Sequence, residues 1–97
     1  MSRHIMLVNY TAKGMEDIEA SPDRLDDGRA LVESMGGEVV DFYLTMGRYD
    51  LVVLLDGLDD EAMAKVALTL GRGGAVETET LKAFTEDEYR EIIGGLP

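Results

Sequence analysis

The chain is 97 residues long, the length of one domain spanning 1–97, and its 45% apolar content excludes wholesale disorder. Twenty acidic against nine basic side chains leave a formal net charge of −11, which argues against nucleic acid as a partner and disfavours anionic membranes. Cysteine is absent, so disulfides, thiolate nucleophiles and cysteine-based zinc sites are excluded.

Residues 4–10 read as a strand. Its run Ile5-Met6-Leu7-Val8 lacks strict alternation, so both of its faces are expected to be covered. This run and Leu51 to Leu55 are the longest apolar stretches, far too short to span a bilayer. The opening Met1-Ser2-Arg3-His4 has no apolar leader region, so a cytoplasmic address is expected. From Thr11 to Ala20 the pattern predicts a turn and a short helical lead-in, broken by Gly14. Ser21-Pro22-Asp23 predicts a helix start, with Ser21 at the N-cap and Pro22 in the first turn. Leu25, Leu31, Val32 and Met35 supply its apolar stripe. Gly28 costs that helix about 1 kcal/mol against alanine, and such a glycine often marks close packing against another backbone. Gly36-Gly37 supplies a left-handed end.

Glu38 to Met46 predicts a second strand, with Val40, Phe42, Leu44 and Met46 on one face and Val39, Asp41, Tyr43 and Thr45 on the other. Gly47-Arg48 has the order of a two-residue type II′ hairpin turn. A third strand, Tyr49 to Asp56, follows and is apolar throughout its middle. Asp59 caps the next helix, whose buried stripe is Met63, Val66, Ala67 and Leu70, and Gly71-Arg72-Gly73-Gly74 ends it. Residues 75–84 alternate threonine with glutamate, the pattern of an edge strand with one wet side. Thr85-Glu86-Asp87-Glu88 is a capping box for a final helix expected to carry Tyr89, Ile92 and Ile93 inward.

The order β-α-β-β-α-β plus a terminal helix predicts an α+β, ferredoxin-like fold with a four-stranded antiparallel sheet. Right-handed crossovers place both main helices on one face. The other face is then bare, although the first and third strands are apolar on both sides. A sticky patch of that size predicts a homodimer, sheet face against sheet face, with room for a cavity between.

The chain resembles the GYD domain family over nearly its whole length. The likeness is carried by Leu7-Val8-Asn9-Tyr10-Thr11, Ser21-Pro22-Asp23-Arg24-Leu25, Phe42 through Asp50, Asp59-Asp60-Glu61, and Thr78 through Phe84. The family's glycine, tyrosine and aspartate match Gly47, Tyr49 and Asp50, with Arg48 as spacer. The resemblance implies a homodimer of the dimeric α/β-barrel type. Wider relatives of that type include small monooxygenases, YciI-like proteins, stress-responsive barrel proteins and ligand-binding modules of transcriptional regulators, so it chooses no chemistry.

Candidate site residues gather near the predicted hairpin. Asp50 could act as a base or orient a ligand, with Tyr43 and Tyr49 as donors or stacking surfaces. Against that, Asp50 could accept backbone amides near the turn or pair with Arg48, and the structural role weighs more. His4, the sole histidine, could be a general base partnered by Asp50 or Asp41, or an axial haem ligand. The favoured alternative is a solvated residue at a fraying chain start. Asn9 and Tyr10, with Thr78 and Thr80, could line the polar end of a sheet-face cavity or be ordinary strand-end residues. Asp56-Gly57-Leu58-Asp59-Asp60 lacks the third-position ligand of a calcium loop, Gly71–Gly74 has the wrong context for a phosphate loop, and no serine sits in a nucleophile elbow. No metal and no cofactor is therefore assigned. The leading expectation is a homodimer that binds a small, partly apolar molecule between sheet and helices or across the dimer, with Asn9, Tyr43, Tyr49 and Asp50 as ligand-binding residues. Alternatives are a small enzyme (a cofactor-independent monooxygenase or a YciI-like protein) using His4 and Asp50, and a purely structural oligomerisation module.

Overall fold

Strand β1 (Arg3–Tyr10) lies near the centre of the sheet, pairing antiparallel with β3 (Leu51–Asp56) on one side and β4 (Val76–Ala83) on the other. Strand β2 (Glu38–Leu44) completes the order β2-β3-β1-β4, so the two apolar-rich strands are central and the Thr/Glu strand is an edge, as expected. The computed structural model describes residues 2–97; Met1 lies outside the described residues. Alternation sends Met6 and Val8 of β1 and Leu51, Val53 and Leu55 of β3 to one face. There they form the buried core with Val32 from α2 (Ser21–Ser34), Leu58, and Met63 and Val66 from α3 (Asp60–Arg72). The opposite parity places Ile5, Leu7, Val52 and Leu54 on the open face, where the single chain leaves them half-buried.

Helix starts are set by side-chain caps. The Asp59 carboxylate accepts from Ala62 N at 2.8 Å, and Thr85 and Glu88 exchange reciprocal bonds of 2.8 and 3.2 Å at the head of α4 (Glu86–Gly94). Helix α2 differs. A 3₁₀ turn (Ile18–Ala20) feeds straight into it, so Ser21 is already helical and Ala20 occupies the cap position with no side-chain bond. The Ser21 hydroxyl instead meets the Tyr10 hydroxyl at 2.8 Å. Gly14 does not break the lead-in. It lies buried inside α1 (Ala12–Glu16), where a Cβ would collide with the Ala75 carbonyl, so this is the close-approach glycine. Gly28 is not: a Cβ there would meet only Leu70 Cδ2, at 3.8 Å. Gly36, at φ +88°, provides the left-handed end of α2.

Three further expectations are corrected by the structure. Strand β2 carries a bulge: Val39 opposes Leu55 and Asp41 opposes Leu54, leaving Val40 as the extra residue. The inserted residue flips the parity, so Val39 and Phe42 both pack on the helix-side core. The connection at Gly47-Arg48 is not a two-residue turn. The last β2–β3 pair is Leu44 with Leu51, and Thr45 N donates to Asp50 O at 2.8 Å, so Thr45–Asp50 form a wider loop and β3 begins at Leu51. The cause is that Asp50 is claimed by β1, as described below. Finally, Tyr89, Ile92 and Ile93 do not turn inward. Helix α4 buries none of its residues, and Tyr89, Ile92 and Ile93 are all exposed.

Candidate functional site

At the end of β1 the ladder to β3 stops at Val8 and Leu51, and side chains take over. Asp50 N donates to Val8 O at 2.9 Å and to Asn9 Oδ1 at 3.0 Å, while Asp50 Oδ2 accepts from Tyr10 N at 2.9 Å. Asn9 and Asp50 thus form a reciprocal clamp in which each side chain satisfies the other strand's backbone. The Tyr49 hydroxyl donates to Glu79 Oε1 of β4 at 2.9 Å, and this bond to a carboxylate raises the tyrosine's pKa. Thr45 Oγ1 donates to Tyr49 O at 2.7 Å. Of the four expected ligand-binding residues, the fold therefore brings Asn9, Tyr49 and Asp50 together. Tyr43 stands apart, opposite Val52 on the open face and exposed.

His4 is not a solvated residue at a frayed end. It is 3% exposed on the helix side of the sheet, with Nε2 3.2 Å from Asp60 Oδ1. Its partner is Asp60, the first residue of α3, rather than Asp50 or Asp41. Lys82 Nζ donates to the same Asp60 oxygen at 3.0 Å, and with His4 it holds the Asp60 carboxyl below the usual carboxylate range. The Asp60 carboxylate can only accept, so Nε2 is the donor of this pair, while Nδ1 is buried with no hydrogen-bond partner among the described residues. A shallow cleft of about 290 Å³ lies beside this group, lined by His4, Asp60, Met63, Thr80 and Lys82 among others.

The larger space is between the sheet and its helices. A cavity of about 360 Å³ has Met6, Val8, Leu51, Val53 and Leu55 as its floor and Leu25, Gly28, Val32, Val66 and Leu70 as its roof. Its polar lining includes Tyr10, Ser21, Arg24, Asp27 and Arg29. Arg24 Nη1 donates to Asp17 O at 3.0 Å and Nη2 to Gly14 O at 3.4 Å. None of Asn9, Tyr43, Tyr49 and Asp50 lines this cavity; Tyr10 does. Sequence reasoning missed Ser21, Arg24 and Arg29. The available signal was Ser21, Arg24, Leu25, Gly28 and Val32 on one helical stripe. Among the described residues no group of three or more His, Cys, Asp or Glu could hold a metal ion, and no helix is long and apolar enough to cross a membrane.

These features define an α+β domain of ferredoxin-like type, with a strand-end clamp on the first strand and an apolar space beneath its two main helices. The chain belongs to the GYD domain family, whose model matches residues 4–93. No curated protein matches it. Among solved structures it is similar to FFRP-DM1 (TM-score 0.61, 17% identity, covering 87% of this chain and 100% of that one). It is also similar to TTHA0845 from Thermus thermophilus (TM-score 0.55, 25% identity, 88% and 95%). A third likeness is to the leucine response regulatory protein LrpA of Mycobacterium tuberculosis (TM-score 0.55, 19% identity), where the match covers 87% of this chain and about half, 51%, of that one.

Proposed function

We propose that this GYD-family chain is a cytoplasmic homodimer of the α/β-barrel type that binds a small, partly apolar molecule between its sheet and helices. The observation that carries the reading is the cavity of about 360 Å³, within the size range of small-molecule sites. A packed core leaves few voids larger than water, and an unfilled apolar space forgoes dispersion contacts along its whole lining. Asn9, Tyr49 and Asp50 serve this site from outside it, by holding the strand end from which Tyr10 projects. Support for self-association comes from the half-buried Ile5, Leu7, Val52 and Leu54 on the open face, with Leu81 beside them and the unburied apolar side of α4. Light scattering at micromolar concentration reads twice the chain mass; a monomeric mass ends the dimer. N-phenyl-1-naphthylamine, a neutral dye that fluoresces in apolar surroundings, binds saturably. Gly28→Leu, which places a side chain in the roof, abolishes that binding. Unchanged binding in a folded Gly28→Leu protein removes the cavity reading.

A second reading, a small enzyme of the same barrel type, is favoured by one observation: buried His4 has Asp60 on one nitrogen and no partner among the described residues on the other. A base at Nδ1 requires that nitrogen to be unprotonated in the neutral ring. Imidazole ¹⁵N spectra at pH 8 that show the proton on Nδ1 end the acid–base reading.

A further inference from the structure

Resting on the cavity reading above, we propose that the ligand is an amphipathic monoanion: an apolar chain or ring ending in a single carboxylate-like charge, with Arg24 as the head-group anchor. Arg24 is half-buried on the stripe of α2 that faces the cavity. Its guanidinium is bonded to two main-chain carbonyls, Asp17 O and Gly14 O. Among the described residues neither Arg24 nor Arg29, which also lines the cavity, has a carboxylate within ion-pair distance. Two neutral carbonyls leave guanidinium donors and its full charge available, and a planar fork suits a carboxylate.

The surroundings limit the charge of the occupant. Asp27 is the one acidic residue in the lining, so two arginines against one aspartate leave it a single positive charge while the whole chain carries −11. A monoanion balances that charge, a dianion would meet Asp27 unpaired, and a cation would meet both arginines. The Tyr10 and Ser21 hydroxyls, 2.8 Å apart, add a donor: one hydroxyl bonds the other, and the second keeps a proton for the head group. The apolar floor and roof fit the remainder of such a molecule. The bonds from Arg24 to Asp17 O and Gly14 O also strap α1 to α2, so a purely structural Arg24 is the rival role.

Decanol, decanoate and decylamine, which share one chain and differ in head group, separate the possibilities by displacement of N-phenyl-1-naphthylamine at pH 7. Decanoate displaces the dye at about tenfold lower concentration than decanol, and decylamine is the weakest. Arg24→Gln brings decanoate and decanol together, and Arg24→Lys restores part of the preference. Circular dichroism checks that the variants fold, and Arg29→Gln serves as the second variant if Arg24→Gln does not. Equal displacement by decanoate and decanol in the unmodified protein overturns the head-group proposal and leaves the cavity standing. A preference that survives in a folded Arg24→Gln protein overturns Arg24 as its anchor. Failure of all three to displace the dye, or of the dye to bind, removes the cavity reading itself and this proposal with it.

Discussion

Replacing Gly28 by alanine is expected to stabilise the protein. Gly28 sits in the middle of α2, where alanine is favoured by about 1 kcal/mol through backbone entropy. The usual offset is steric, and here it is missing: the added Cβ meets one atom, Leu70 Cδ2, at an ordinary 3.8 Å. The net gain is therefore about 0.5–1 kcal/mol, which for a domain of this size raises Tm by roughly 2–8 °C. Gly14→Ala is the matched control. It gains the same helix propensity, but its Cβ drives into the Ala75 carbonyl, and the overlap costs about 1–3 kcal/mol. Urea and thermal unfolding followed by circular dichroism, at one fixed protein concentration, measure both. The pair should move in opposite directions with unchanged urea m values. If Gly28→Ala lowers Tm, then Gly28 marks a close backbone contact after all, and the space beneath α2 is not available to a ligand.

Further outcomes follow from the polar contacts. Asp50→Ala leaves the Tyr10 amide without its acceptor and costs about 1–3 kcal/mol in urea unfolding, whereas Asp50→Asn keeps an acceptor oxygen and loses less. Asp56 accepts two bonds of 2.7 Å from Arg3, chiefly through which its pKa is lowered. A lowered folded pKa means stability that is complete above the unfolded carboxylate range near pH 4 and lost as pH falls through the folded value. Asp56→Asn is thus less stable at pH 7, and the gap narrows on acidification; a gap that widens refutes the sign. In the dimer proposed above, apolar residues at the centre of the open face are ringed by Asp41, Glu77 and Glu79, so raising salt from 0.01 to 1 M, over which the Debye length falls from about 30 to 3 Å, should tighten association in sedimentation measurements.

The strands and main helices were legible because each carries its period in contiguous residues: the apolar runs of β1 and β3, the stripe of Met63, Val66 and Leu70, the capping residues Asp59 and Thr85. What escaped depends on contacts distant in sequence or on a one-residue change of register. The bulge at Val40 is invisible in a run of apolar residues, yet it reverses which of them face the core. Gly47-Arg48 has good local turn chemistry, but Asp50 is held by β1, some forty residues earlier, and the tight turn loses. His4 looked like a fraying end because nothing near it in sequence announces Asp60 and Lys82. Ser21 had every local mark of a cap, but the preceding 3₁₀ turn had already begun the helix and Tyr10 took its hydroxyl. The capping box of α4 was readable and correct, while the destination of its apolar side was not, since a cap fixes where a helix starts and not what it packs against.

The family's Gly47, Tyr49 and Asp50 gain a physical meaning from this geometry. Gly47, at φ +134°, lets the loop turn where a side chain would be strained. Tyr49 ties the loop across β1 to Glu79 on β4. Asp50 holds the backbone amide of Tyr10. That amide belongs to the residue whose ring walls the cavity and whose hydroxyl meets Ser21, one turn of helix before Arg24. The signature and the cavity lie on different sides of the strand end but share Tyr10. A loss of Asp50 should therefore be felt at the cavity mouth as well as in stability, because a strand end released from its clamp no longer fixes the ring. On the cavity reading proposed above, the signature residues are positioning residues and recognition takes place beneath α2, where the motif itself does not reach.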